Sequence, residues 1–296
     1  MSCCKSDNEP TKQTARFPSW LKRPIAHSGK QKDILESIHS LGLHTVCVEA
    51  KCPNRSECYS KGTATFLILG NICTRYCTFC GVSHGTPLPV DFSEPEKLVS
   101  AIKSLKLTHV VITSVTRDDL SDGGAAIYAE TITRIKQALP AVTVEILIPD
   151  FNGNKSALEL VISKKPDIFN HNIETIPRLY SFVRPQAQYQ RSLEVLSLAA
   201  HSGLTVKSGI MVGLGEKEDE VRQVMRDLRS AGCQIMTIGQ YLRPSKEQTP
   251  VVEHVPPEQF SSYEKMGYDM GFSSVFAGPF VRSSYMAESI YQNVLH

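Results

Sequence analysis

The sequence predicts an α/β fold built from repeated strand–helix units, and three observations carry that expectation. From residue 63 onward, short apolar strands alternate with amphipathic helices six times. Several strands, such as His109-Val-Val-Ile-Thr-Ser114 and Val144-Glu-Ile-Leu-Ile148, are near-continuous apolar runs, as parallel strands buried on both faces are. Polar residues gather just after the strands, where such folds place their chemistry. Six repeats joined by right-handed crossovers make either a doubly wound sheet or a barrel.

In chain order, residues 1 to about 30 are polar and hold Pro10, Pro18 and Pro24, which reads as an extended arm. Within it, Pro18-Ser-Trp-Leu-Lys-Arg-Pro24 is expected to pack Trp20 and Leu21 onto the body. Ile34, Leu35, Ile38 and Leu41 give Asp33–Leu41 helical periodicity, stopped by Gly42. Strands are expected at 63–70, 108–115, 142–148, 167–173, 204–212 and 234–241, and helices at 94–105, 124–139, 155–164, 190–202, 217–231 and 257–270. A last stretch, residues 275–285, leads into a short terminal helix. The chain divides on this reading into an N-terminal extension (1–62), a core (63–272) and a C-terminal extension (273–296), together one catalytic domain.

Composition narrows the function. A chain of 296 residues with 41% hydrophobic and 21% charged residues can bury a large core. Its 32 basic and 30 acidic residues leave a net charge of +2, which carries no nucleic-acid signature. No run of 18 apolar residues exists, so no membrane partner is expected. The first residues lack the apolar core of a signal peptide, which points to a cytoplasmic protein with free thiols.

Those thiols are unevenly placed. Six of nine cysteines fall between Cys47 and Cys80, in two triplets. Cys47, Cys52 and Cys58 are separated by four and five residues; Cys73, Cys77 and Cys80 by three and two. Cys233, before an apolar strand, reads as a small buried residue, and Cys3 and Cys4 lie in a polar tail. Clustered thiolates bind soft metals. Structural zinc needs four ligands, which His44 or His84 could complete. A cubane iron–sulfur cluster held by only three cysteines leaves one iron open to a small molecule.

The spacing of Cys73-Thr-Arg-Tyr-Cys77-Thr-Phe-Cys80, with an aromatic before its last cysteine and a strand before the loop, resembles the radical S-adenosylmethionine enzymes. The first triplet, the run Gly62-Thr-Ala-Thr-Phe-Leu-Ile-Leu-Gly70, Trp20-Leu-Lys22 and Arg282-Ser-Ser-Tyr285 narrow the resemblance to the lipoyl synthase family, from about residue 17 to 290. The chain departs from the family pattern at Met286 and Asn71, neither of which is a thiol.

That resemblance implies a partial (β/α)6 TIM-like barrel whose extensions converge over its open end and carry an auxiliary iron–sulfur cluster. It implies two 4Fe–4S clusters and S-adenosylmethionine as cofactors. Cys73, Cys77 and Cys80 would hold the cluster that generates radicals. Cys47, Cys52 and Cys58 would hold the auxiliary one, with Ser284, or its neighbour Ser283, as fourth ligand. The implied reaction inserts two sulfur atoms, drawn from the auxiliary cluster, at C6 and C8 of an octanoyl chain on a carrier lysine. Implied partners are octanoylated lipoyl domains or the glycine cleavage H protein, a ferredoxin or flavodoxin as electron donor, and an iron–sulfur carrier that rebuilds the cluster. Asn172 and Glu174 resemble a polar pair that binds the nucleoside in a related enzyme, and Arg184 and Arg243 are candidate anion contacts. Asp122-Gly-Gly124 and Gly213-Leu-Gly215 are loops that either approach a ligand or end their elements. Three rival readings remain on the sequence alone: another radical enzyme with an auxiliary cluster, a non-catalytic iron–sulfur carrier, and a zinc-stabilised structural protein.

Overall fold

A computed structural model describes residues 17–22, 29–61, 63–285 and 287. Each expected strand–helix pair forms. Strands β2 (Thr65–Ile68), β5 (His109–Ser114), β6 (Thr143–Leu147), β7 (Ile168–Asn170), β8 (Val206–Val212) and β9 (Ile235–Gln240) alternate with helices α4 (Glu94–Ser104), α5 (Ala125–Ala138), α6 (Lys155–Ile162), α8 (Tyr189–His201), α9 (Glu218–Ser230) and α10 (Pro257–Asp269). These six strands are parallel, and the sheet runs in sequence order without reversal. A doubly wound sheet would reverse direction at a switch point. The fold is therefore an open barrel of six βα units.

Two further strands extend the sheet. β1 (His44–Thr45) pairs antiparallel with β2, and β10 (Ser274–Gly278) pairs parallel with β9, from Ser274↔Ile235 to Gly278↔Gly239. The sequence pattern predicts no strand at 274–278. The run is short and stops at Gly278-Pro279, so its parallel partner, not its own pattern, makes it a strand. A small ribbon, β3 (Ile72–Cys73) with β4 (Ser83–His84), opens and closes the second cysteine loop. Short helices α2 (Val46–Glu49) and α3 (Arg55–Ser60) carry the first triplet, and α7 (Tyr180–Val183) follows β7.

Helix α1 (Gly29–Ser40) starts four residues earlier than its apolar periodicity indicates and turns at Gly42, whose φ is +64°. Trp20 does not pack as expected: it is 39% exposed, in a 3-10 turn (Ser19–Leu21) with no buried residue. Phe17 instead sets its ring 5.6 Å from that of His254. Cys233 is fully buried, as its apolar surroundings indicate. Cys3, Cys4 and the terminal helix beyond Ala287 lie outside the described residues.

The sheet buries Ile68, Val110, Ile112, Val144, Ile146 and Phe169 completely, each worth about 1.5–3 kcal/mol of apolar transfer. Low in the barrel, an ion pair fills the interior: Lys207 Nζ lies 2.9 Å from Glu145 Oε1, both side chains fully buried. Asn170 donates to the same carboxylate at 3.1 Å and His109 lies 3.5 Å away. Burial raises the Glu145 carboxyl, but Lys207 and His109 outweigh it and leave it below the usual carboxylate range.

The turn after β2, where the second cysteine loop begins, is fixed from three sides. Glu94, first residue of α4, accepts from the backbone N–H of Leu69 (2.7 Å) and Gly70 (3.3 Å). Arg117 Nη1 donates to the Leu69 carbonyl at 3.2 Å. Gly124 packs so closely that a Cβ there would lie 2.2 Å from Leu69 Cδ1. Leu69 itself has φ of +67°, a conformation an L side chain holds only when its surroundings over-determine it.

Candidate active site

At the C-terminal ends of the strands lies a cavity of about 340 Å³ lined by all six clustered cysteines, Ser283, Ser284, Asn172, Glu174 and Arg184. The second triplet sits on a loop that backbone and side-chain hydrogen bonds hold rigid. Thr74 donates its N–H and hydroxyl to the Thr116 carbonyl, and its hydroxyl accepts from Asp118 N–H. Thr78 pairs with the Val183 carbonyl and with Thr249. The Cys73 sulfur accepts from the N–H groups of Arg75 and Thr116, each at 3.4 Å, and Cys80 from that of Val82 at 3.5 Å. Donors aimed at sulfur favour the thiolate a metal needs.

Arg75, inside this loop, is a support of the site that sequence reasoning missed. Its guanidinium reaches Asp118 at 2.7 and 2.9 Å and Asp150 at 2.7 Å, tying the loop to the ends of β5 and β6. Arg75 counters the burial of Asp150 and holds that carboxyl at about 2. An arginine between two ligand-spaced cysteines, with aspartates after two strands, was the available signal.

The first triplet lies across the cavity. Cys47 is in α2, Cys52 in the turn after it, and Cys58 in α3. The C-terminal segment docks onto them. Asn54 donates to the Phe280 carbonyl (2.6 Å), Tyr285 hydroxyl donates to Glu57 Oε1 (3.0 Å), and Thr65 hydroxyl donates to Ser284 Oγ (2.9 Å). Gly239 makes this docking possible, since a Cβ there would meet the Val281 carbonyl at 2.0 Å. The two candidate serines part company: Ser284 faces Thr65, beside Cys47, whereas Ser283 accepts from Asn172 Nδ2 at 2.7 Å. The two triplet loops also meet directly, for a Cβ on Gly81 would lie 3.0 Å from the Ala50 carbonyl.

Between the triplets stand the polar ends of β7 and α7. Glu174 has φ of +67°, held there by Glu174 N–H to the Gly209 carbonyl (3.0 Å) and Met211 N–H to its own carbonyl (2.9 Å). Asn172 Nδ2 donates to its carboxylate at 3.1 Å. Burial raises the Glu174 carboxyl, against the charge of Arg184. Arg184 donates Nη1 to the Asn172 carbonyl (3.0 Å) and to Tyr180 hydroxyl (2.9 Å). A buried chain continues from Tyr180 to Ser192 (2.8 Å), to His171 Nε2 (3.0 Å), and from His171 Nδ1 to the Ile148 carbonyl (2.9 Å). Among the described residues, Asn172 Oδ1 and Arg184 Nε are buried without a protein partner, two polar atoms that a bound ligand would satisfy.

Other candidates lie elsewhere. Asp122 caps α5, accepting from Gly124 and Ala126 N–H at 2.9 and 2.8 Å. Gly213 and Leu214 give their N–H groups to Glu216, and a Cβ on Gly213 would strike Gln240 Nε2, so that loop ends a strand. Arg243 is exposed and bonds the carbonyls of Gln248 and Lys246.

The donor set suits a polynuclear cluster. Among the described residues, no three His, Cys, Asp or Glu side chains converge on a single-ion site. A cubane, with one thiolate per iron, spreads its ligands farther apart than one ion does. His44 bonds Glu49, His84 packs against Tyr76, and neither lines the cavity, so neither completes a zinc set. Burial pushes up the Cys47 thiol, to about 11, and the Cys58 and Cys80 thiols, to about 12, so loading must release those protons.

A cysteine loop after β2, the first strand of an open parallel barrel, defines a class, and the family model for the radical SAM superfamily matches residues 67–228. Solved structures share this fold. SuiB from Streptococcus suis, bound to S-adenosylmethionine, aligns with a TM-score of 0.57 at 10% identity over 76% of this chain and 53% of its own. Methylornithine synthase (PylB) aligns with a TM-score of 0.54 at 14% identity over 82% and 74%. Sequence relatives are far closer. Lipoyl synthase of Rubrobacter xylanophilus is 52% identical over 91% of this chain and 85% of its own length, and that of Caldanaerobacter subterraneus is 53% identical over 93% and 97%. The chain belongs to the lipoyl synthase family.

Proposed function

We propose that this protein inserts two sulfur atoms at C6 and C8 of a protein-bound octanoyl-lysine. The observation that carries this reading is one cavity lined by both cysteine triplets and by the C-terminal serines. In this assignment Cys73, Cys77 and Cys80 hold one 4Fe–4S cluster and Cys47, Cys52, Cys58 and Ser284 the other. Asn172, Glu174 and Arg184 bind S-adenosylmethionine. When bound, these groups supply a hydrogen-abstracting radical and a source of sulfide.

The chain's own residues do the rest. The N–H groups of Arg75, Thr116 and Val82 hold their thiolates, and Arg75 with its two aspartates keeps the loop in place. Arg184 offers charge to a carboxylate, while Asn172 and Glu174 offer a carboxamide and a carboxylate that suit ribose hydroxyls. Val46, Leu67, Val115, Ile148 and Met211 form the apolar wall an octanoyl chain needs. A serine oxygen is a hard ligand for iron in a sulfide cluster, which favours release of that cluster's sulfur.

Residues 1–62 and 273–296 act in this reading as extensions closing a core of 63–272. The acyl chain arrives on lipoyl domains or the glycine cleavage H protein, electrons from a ferredoxin or flavodoxin, and replacement clusters from an iron–sulfur carrier, in the cytoplasm. Among the described residues no helix is long and apolar enough to cross a membrane.

Anaerobically reconstituted protein should bind about eight irons, four per cluster, form 5′-deoxyadenosine when reduced, and convert an octanoyl-lysyl peptide to the dithiolane by mass. Zinc in place of iron would sink the reading, and eight irons without nucleoside cleavage would favour a carrier. Ser284→Cys should retain 5′-deoxyadenosine formation yet lose most dithiolane, because a soft thiolate ligand resists opening of the cluster.

A further inference from the structure

Thr65 opens β2 and is 3% exposed. Its side chain lies where three parts of the chain meet. The antiparallel pairing of β1 and β2, His44↔Leu67 and Thr45↔Phe66, brings the chain entering α2 alongside Thr65. There Thr65 lies against the Cys47 thiol, its backbone N–H directed at the sulfur while its one hydroxyl hydrogen goes to Ser284 Oγ. From the other side the C-terminal segment places Ser284 Oγ 2.9 Å from the Thr65 hydroxyl, across 219 residues of sequence. Other ties of that segment, Asn54 to the Phe280 carbonyl, Asn172 to Ser283 and Tyr285 to Glu57, fix its path, and none of these three touches the Ser284 hydroxyl.

We propose that Thr65 is the positioning residue of the auxiliary site, holding Ser284 Oγ toward the Cys47 triplet by hydrogen-bond donation. This rests on the assignment of Ser284 above. A hydroxyl donor occupies one lone pair of the serine oxygen and selects its rotamer, leaving the other lone pair to face the cavity. The parallel register Thr65↔Val111 holds the donor's backbone still, so the hydroxyl is presented from a strand and not from a loop. Thr65 thereby links Cys47, at one end of the triplet, to the only ligand in the set that comes from the far end of the chain.

The test uses the full chain with Cys73, Cys77 and Cys80 all replaced by Ala, so that only the auxiliary site is loaded. Four forms carry 57Fe: unmodified at Thr65 and Ser284, Thr65→Val, Thr65→Ser and Ser284→Ala. Mössbauer spectra report the serine-bound iron, and the rate of iron loss to a chelator reports its retention. Loss of one buried hydrogen bond should make Thr65→Val lose iron about fivefold to tenfold faster, with a spectrum approaching that of Ser284→Ala. Thr65→Ser, which keeps the hydroxyl, should match the unmodified form. If Ser284→Ala changes both readouts and Thr65→Val changes neither, the role of Thr65 is overturned. If Thr65→Ser behaves like Thr65→Val, the residue acts only through packing, and the role is again overturned. If Ser284→Ala is indistinguishable from the unmodified form, the serine assignment itself has failed, and the proposal with it.

Discussion

His171 links the interior of the barrel to the site, and its titration can be isolated by replacing it with glutamine. Its Nδ1 faces the Ile148 carbonyl, which only accepts, so the neutral ring carries its hydrogen there and Nε2 accepts from Ser192. A second ring proton would oppose the Ser192 hydroxyl and place a charge in the core. Burial, reinforced by the nearby Arg184 charge, lowers His171 from 6.5 to about 4. Because the folded value is depressed, its contribution to stability is complete above 6.5 and is lost as pH falls toward 4. The full difference corresponds to about 3 kcal/mol, of which about 2 kcal/mol should disappear between about pH 7.5 and 5. His171→Gln retains a donor for Ile148 and an acceptor for Ser192 and does not titrate. Urea unfolding of both metal-free proteins across that range should show the wild type losing about 2 kcal/mol relative to the variant. A difference that stays constant within ~0.5 kcal/mol across that range would refute the argument.

Three further perturbations test the supports of the site. Arg75→Leu leaves the buried Asp150 with Asn152 N–H at 3.0 Å and, as its remaining ion-pair partner, Arg191 at 3.4 Å, a loss of about 3–5 kcal/mol and about 10 °C in Tm, whereas Asp118→Ala, at a partly exposed carboxylate, should cost about 1 kcal/mol or less. Thermal melts of Arg75→Leu within ~2 °C of wild type would show that the network does not stabilise the loop. Tyr180→Phe removes the acceptor beneath Arg184 and should weaken S-adenosylmethionine binding about tenfold in equilibrium dialysis with iron content unchanged; an unaltered Kd would disconnect the chain from the site. Gly239→Ala puts a methyl against the Val281 carbonyl, so hydrogen exchange across 278–285 should quicken while that of β5 and β6 stays slow.

The βα units and the six thiols were legible because their signals are local. Apolar runs at 109–114 and 143–147 mark buried strands by themselves, and the spacing of Cys73, Cys77 and Cys80 survives in any fold. The sequence also determined that Cys233 is a packing residue. The strand–helix pattern by itself could not separate barrel from doubly wound sheet, since both share the same string of elements; the family resemblance implied the barrel, and strand order bears it out. Nor could it distinguish loops that cap from loops that bind. Asp122-Gly-Gly124 and Gly213-Leu-Gly215 have a ligand loop's composition, yet Asp122 and Glu216 take up their backbone N–H groups. The chain from Arg184 to His171, Arg75 with its two aspartates, and Thr65 beside Ser284 join residues on different elements. Such contacts depend on where the barrel brings strand ends together, a distance in space that no spacing along the chain encodes. Thus the identity of the thiol chemistry was written in the sequence, while the hydrogen bonds of Ser284 to Thr65 and of Ser283 to Asn172 were decided by the tertiary fold.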